Sequence, residues 1–160
     1  LEENRDRVLE MDDDSLARII GRSCEIKAEV VSRDERESGL RAILNYGHTI
    51  CHAIETITSY RKYLHGEAVA AGMSVEASIS KTMGLIEEDQ VERIKALIEA
   101  YGLPASAPEV RELDALLATM QLDKKTVSGE LTFILPEKIG TVRIERGVPA
   151  SVITETLQNL

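Results

Sequence analysis

Residues Gly66 to Met83 are rich in Ala, Ser and Gly. Such a run favours helix, because Ala heads the helix propensities, and its small side chains let a neighbouring helix approach closely. A fold built around it needs other helices to pack there, and the rest of the chain supplies them. Leu16, Ile19, Ile20, Ile26, Val30 and Val31 recur at helical spacing up to about Arg33, with Asp12 to Asp14 and Ser15 as N-cap choices. A second helix carries Ile43, Leu44, His48, His52 and Ile54, with Gly47 inside it at a penalty of roughly 1 kcal/mol against Ala. A glycine so placed marks close approach of another group. Glu87-Glu88-Asp89 puts negative charge where a helix dipole favours it, ahead of Val91, Ile94, Leu97 and Ile98. Leu113 to Gln121 is a short helix, and Pro149 starts a last one. Only Leu131 to Leu135 and Thr141 to Ile144, joined through Pro136 and Gly140, have the character of strands. The expected fold is mainly α with one small β-hairpin, a single helical domain over residues 1–160.

At 43% hydrophobic content, 160 residues suffice for one core. A formal net charge of -9 argues against nucleic acid or an anionic membrane as partner. Aromatic content of 3% with no Trp argues against base-stacking platforms. No apolar run approaches membrane-spanning length. Two cysteines, Cys24 and Cys51, make no disulfide framework, so a cytoplasmic location is the simplest expectation. The opening Leu1-Glu2-Glu3-Asn4 lacks an initiator Met and starts within a helical turn, as a fragment would.

All three histidines fall between residues 41 and 72. His48 and His52 are four apart, so on a helix both rings project from one face. His65 opens the small-residue helix. Zinc favours neutral imidazole, and a catalytic site pairs about three protein ligands with an open position. His48 and His65, each beside a glycine, are the better pair, with His52 as a third ligand or a nearby base. The spacing equally allows histidines that only satisfy hydrogen bonds between packed helices.

Several segments, taken together, are more specific than that spacing. Lys27-Ala28-Glu29-Val30-Val31, Asp34-Glu35-Arg36-Glu37, Gly39-Leu40-Arg41, Leu44-Asn45-Tyr46-Gly47-His48-Thr49, His52-Ala53-Ile54-Glu55 and His65-Gly66-Glu67-Ala68-Val69-Ala70-Ala71-Gly72-Met73 occur in this order. With Asp123-Lys124-Lys125 and the hairpin, they make essentially the whole chain resemble the C-terminal domain of 3-dehydroquinate synthases. The resemblance implies that family's fold and a parent enzyme using NAD and Zn2+ (or Co2+). It would convert 3-deoxy-D-arabino-heptulosonate 7-phosphate to 3-dehydroquinate and phosphate in the shikimate pathway, as a homodimer.

By position in the motifs, His48 and His65 are implied as metal ligands, the third being a glutamate of a family motif upstream of Leu1. Glu55 and Glu67 fit supporting positions better than direct ligation. His52 is implied as the acid–base residue and Glu37 as a catalytic or orienting acid. Lys27, Arg41 and Asn45 are implied as substrate-binding, with Lys124, in preference to Lys125, on the substrate phosphate. Arg41, Asn45 and His48 would share one helix face. Cys51 departs from the family's usual glycine, and an inert buried thiol is the simpler expectation for it. The resemblance implies that NAD is bound mainly by an N-terminal domain absent from this chain, and no glycine-rich phosphate fingerprint follows a strand here. The chain alone is therefore expected to be inactive. Two alternatives stand: another sugar-phosphate cyclase or related polyol dehydrogenase, and a non-catalytic metal-binding helical module.

Overall fold

The computed structural model describes residues 1–34, 39–123 and 131–160. Two compact units divide the chain, Leu1–Leu44 and Asn45–Leu160. The first holds a short helix α1 (Arg5–Leu9) and the long α2 (Asp13–Arg33). Asp12 caps α2 by accepting the Ser15 N–H at 2.9 Å, one of the candidate caps in the sequence. Ile20 and Ile26, part of the apolar spacing of α2, are exposed. Asp34 follows α2 as a buried carboxylate whose Oδ2 accepts the N–H groups of Gly39 and Arg41, at 3.0 and 2.9 Å.

In the second unit, α3 (His48–Ile57) packs on α4 (His65–Thr82), and around them lie α5 (Glu88–Ala100), α6 (Leu113–Asp123) and α7 (Ala150–Gln158). The strands β1 (Thr132–Lys138) and β2 (Thr141–Arg146) form one antiparallel pair, with Ile134 opposite Ile144. The core joins Ile50 and Ile54 of α3, Val75 and Ile79 of α4, Leu116 and Met120 of α6, Phe133 and Leu135 of β1, and Ile153 of α7. The small-residue run is α4, buried almost continuously from Ala68 to Ser80. No helix among the described residues is long and apolar enough to cross a membrane.

Two local readings need correction. Pro136 lies inside β1 rather than in the connection. A two-stranded sheet has only edge strands, and the pairing register shifts between Pro136 and Lys138, which accommodates the missing N–H. The larger correction concerns Gly47. Leu40–Asn45 forms a 3-10 helix, Tyr46 and Gly47 turn, and α3 begins only at His48. Gly47 is the N-cap, at φ +86°, where an L side chain is strained. Arg41, Asn45 and His48 therefore do not share an α-helical face: 3-10 geometry and the left-handed turn break the four-residue stacking.

The turn has a tertiary cause. A Cβ on Gly72 would lie 2.1 Å from Gly47 O, and one on Gly47 would lie 2.7 Å from Val69 O. Backbone meets backbone here, so both positions require glycine, as the close approach inferred at Gly47 suggests. Tyr46 adds a bond from its hydroxyl to Met73 O at 2.8 Å. The start of α3 is thereby fastened to the middle of α4.

Candidate active site

His48 is the first residue of α3, His52 lies one turn on, and His65 is the first residue of α4. Packing of α3 on α4 brings the three rings together. The His48 and His65 centroids are 5.4 Å apart and those of His48 and His52 5.8 Å apart, both pairs meeting edge to face. His65 and His52 are exposed and His48 half-buried, so the group is open to solvent on one side.

The ring nitrogens have distinct partners. His65 Nδ1 is 2.9 Å from Glu55 Oε1, and His48 Nδ1 is 3.4 Å from Tyr46 O. A carboxylate and a carbonyl only accept, so each Nδ1 carries the proton and donates it, weakly at His48. In the neutral ring each Nε2 then keeps its lone pair. That is the tautomer of metal-ligating histidines, whose other nitrogen donates to a carboxylate or carbonyl. Glu55, 7% exposed, is held where it can orient His65. Glu67 is occupied elsewhere: its Oε2 accepts the Leu64 N–H at 2.8 Å and caps α4.

A second grouping uses the opposite side of His65. Cys51 Sγ lies 3.7 Å from His65 Nδ1, and the ligand atoms of Cys51, Glu55 and His65 all fall within 4.8 Å of one another, close enough to hold a metal. Burial, then the neighbouring Glu55 and Glu76, push the Cys51 thiol up to about 12. A neutral buried thiol is a poor ligand, and Nδ1 is already spent on Glu55, so the open Nε2 side is the better metal position.

Upstream of His65, Lys62 Nζ lies 2.5 Å from Glu109 Oε1 and the Tyr63 hydroxyl donates to Glu109 Oε2 at 2.9 Å. Burial alone would raise the Glu109 carboxyl, but Lys62 and Tyr63 hold it below its ordinary value. This clamp pins the loop that delivers His65. The structure thus gathers His48, His52 and His65 in the second unit, with Asn45 exposed at that unit's first residue. Lys27, exposed on α2, and Arg41, exposed on the 3-10 helix, belong to the first unit. Glu37, Lys124 and Lys125 lie outside the described residues.

Glu76 and Glu109 were missed as site-supporting residues in the sequence. For Glu76 a signal existed, an acidic residue between Val75 and Ala77 in a helix otherwise made of small and apolar side chains. For Glu109 there was none.

Comparison with known proteins agrees with this architecture. The 3-dehydroquinate synthase C-terminal family matches residues 1–126. The 3-dehydroquinate synthase of Thermodesulfovibrio yellowstonii is 51% identical over 144 residues, covering 90% of this chain and 40% of that protein. That of Acidithiobacillus ferrooxidans is 50% identical over 158 residues, covering 99% and 43%. The chain thus spans about two fifths of the length of these relatives. Among solved structures, ValA (2-epi-5-epi-valiolone synthase) from Streptomyces hygroscopicus, with NAD+ and Zn2+ bound, superposes with a TM-score of 0.85 at 23% identity, over 99% of this chain and 44% of that one. A 2-deoxy-scyllo-inosose synthase complexed with carbaglucose-6-phosphate, NAD+ and Co2+ gives 0.70 at 28% identity, over 83% and 38%. With a family match over most of its length and relatives at half identity over nearly all of it, this chain belongs to the 3-dehydroquinate synthase C-terminal family.

Proposed function

We propose that this chain is the metal- and substrate-binding part of a 3-dehydroquinate synthase, converting 3-deoxy-D-arabino-heptulosonate 7-phosphate to 3-dehydroquinate and phosphate in the shikimate pathway. The observation that carries the reading is the pair His48 and His65, ring centroids 5.4 Å apart, each with Nδ1 on an acceptor and with no Nε2 partner among the described residues. These two would hold a divalent cation, Zn2+ or Co2+, completed by a carboxylate from the part of the relatives this chain does not match. That same part would hold NAD. When bound, the cation polarises the substrate hydroxyl and ketone, and NAD takes up and returns a hydride.

The chain's own residues do the rest. His52, exposed beside His48, exchanges the alcohol proton, for which an imidazole is suited near neutral pH. Lys27, Arg41 and Asn45 bind the acidic substrate, Lys124 its phosphate, and Glu37 orients or accepts a proton. Half identity to 3-dehydroquinate synthases, against 23% and 28% to the two other synthases, favours this substrate over those of related enzymes. The 160 residues alone are inactive in this reading, and the longer protein is a homodimer.

The test is phosphate release from 3-deoxy-D-arabino-heptulosonate 7-phosphate by the chain extended through its cofactor-binding region, with NAD and Zn2+. Release that falls by at least a thousandfold in His48→Ala is the expected result. No release from a folded, metal-loaded protein would sink the substrate assignment. A second expectation concerns Glu55. Glu55→Ala frees His65 to rotate and should weaken zinc binding on the order of 10- to 100-fold by chelator competition. An unchanged affinity would remove Glu55 from the account.

A further inference from the structure

Glu76 is fully buried on α4, and an acidic group so placed needs a reason in the structure, because an unpaired buried carboxyl is costly. Its Oε2 accepts the Gly47 N–H at 2.8 Å, and the N–H groups of Ile50 and Thr49 also favour charge on it. These belong to the first turn of α3, where N–H groups lack intrahelical acceptors. Ordinarily an N-cap side chain such as Ser or Asp supplies the acceptor. The N-cap here is Gly47, which has no side chain and has no room for one against Val69 O and the Met73 side chain. The close approach of α3 to α4 therefore removes the usual cap, and Glu76 supplies the acceptor from the neighbouring helix.

We propose that Glu76 is a positioning residue of the histidine centre: by holding the Gly47 N–H it fixes the first turn of α3, and with it the ring of His48. It touches neither metal nor substrate. The inference rests on the reading of His48 as a metal ligand. His48 lies between Gly47 and Thr49, so a turn released from Glu76 carries the imidazole with it. His65 is set independently, by the Glu67 cap of α4 and by Glu55. Loss of Glu76 should consequently misplace one ligand of the pair and leave the other. Among the described residues Oε1 has no hydrogen-bond partner, so one acceptor oxygen suffices and an amide can replace the acid.

The test compares Glu76→Gln with Glu76→Met in the longer protein that supplies the third metal ligand, by amide hydrogen exchange at Gly47, imidazole NMR and zinc titration. Glu76→Gln should keep zinc affinity within about threefold of the wild type and keep Gly47 protected. Glu76→Met, still unfolding cooperatively, should lose at least tenfold in zinc affinity, exchange Gly47 at least tenfold faster and shift the His48 ring signals with those of His65 in place. Wild-type zinc affinity in Glu76→Met, or Gly47 exchange no faster than in the wild type, overturns the proposal. If Glu76→Met does not fold, Glu76→Asp, too short to reach Gly47, replaces it under the same criteria. A wild-type longer protein, third ligand included, that binds no zinc contradicts the metal reading alone, and Gly47 exchange then decides for or against the positioning role.

Discussion

Replacing Gly72 by alanine is expected to destabilise the chain by about 3 kcal/mol or more, at the upper end of what overpacking a core costs. The added Cβ would lie 2.1 Å from Gly47 O, 3.0 Å from Gly47 C and 3.2 Å from Cys51 N. All three are backbone atoms, so no side chain can swing aside. Gly47 is itself held by Glu76, and Tyr46 by Met73 O, so relief requires α3 to move away from α4 as a whole. The control is Gly66→Ala, in the first turn of the same helix, where a Cβ meets nothing within 4 Å. There the change should be neutral or stabilising by up to about 1 kcal/mol, through helix propensity and a less flexible unfolded chain. Urea unfolding of the two variants measures the difference. A Gly72→Ala protein within 1 kcal/mol of the wild type would show that the α3–α4 approach is not as close as described.

The second large effect is on pH dependence. Burial pushes the Glu76 carboxyl from 4.5 up to about 8, with the α3 N–H groups opposing it. A carboxyl raised in the folded state contributes stability that is fully present below its unfolded value and is lost as pH rises through the folded one. Wild-type stability should therefore decline between pH 4.5 and about 8, by an amount on the order of 4 kcal/mol from this group alone. Tyr46 and Cys51 face Glu76, and both are themselves raised, Cys51 to about 12, so they stay neutral across that window. Glu76→Gln removes the titrating group and keeps an acceptor. Its stability should diverge upward from the wild type as pH rises from 5 to 8, while all other titrations are shared. Parallel curves for the two proteins would contradict the burial of a titrating Glu76.

Much of this architecture was legible from residue patterns, for reasons that also explain the misses. The small-residue run became the central helix α4 because only such side chains admit neighbours on several sides. Asp12 capped α2 because an N-cap is a local interaction among residues close in sequence. Gly47 was misplaced inside a helix because Ile43, Leu44 and His48 fit helical spacing even though the chain turns between them. The cause of that turn, Gly72, is 25 residues away and leaves no local trace. The histidine trio was legible through four-residue spacing and a shared stretch of chain. The partners that fix the histidine tautomers were not, since the contact between Glu55 and His65 arises only when α3 and α4 pack.

The most direct test of the account is a long-range 1H–15N correlation spectrum of the imidazole rings, recorded without and with Zn2+. The account predicts His48 and His65 with the proton on Nδ1 in the metal-free protein, and a zinc-dependent shift of both Nε2 resonances in the longer protein that supplies the third ligand. Zinc that instead moves His65 Nδ1 together with the Cys51 Cβ would place the metal in the Cys51, Glu55 and His65 grouping and contradict the proposed centre. Protons found on Nε2 of His48 and His65 before zinc is added would contradict it as well.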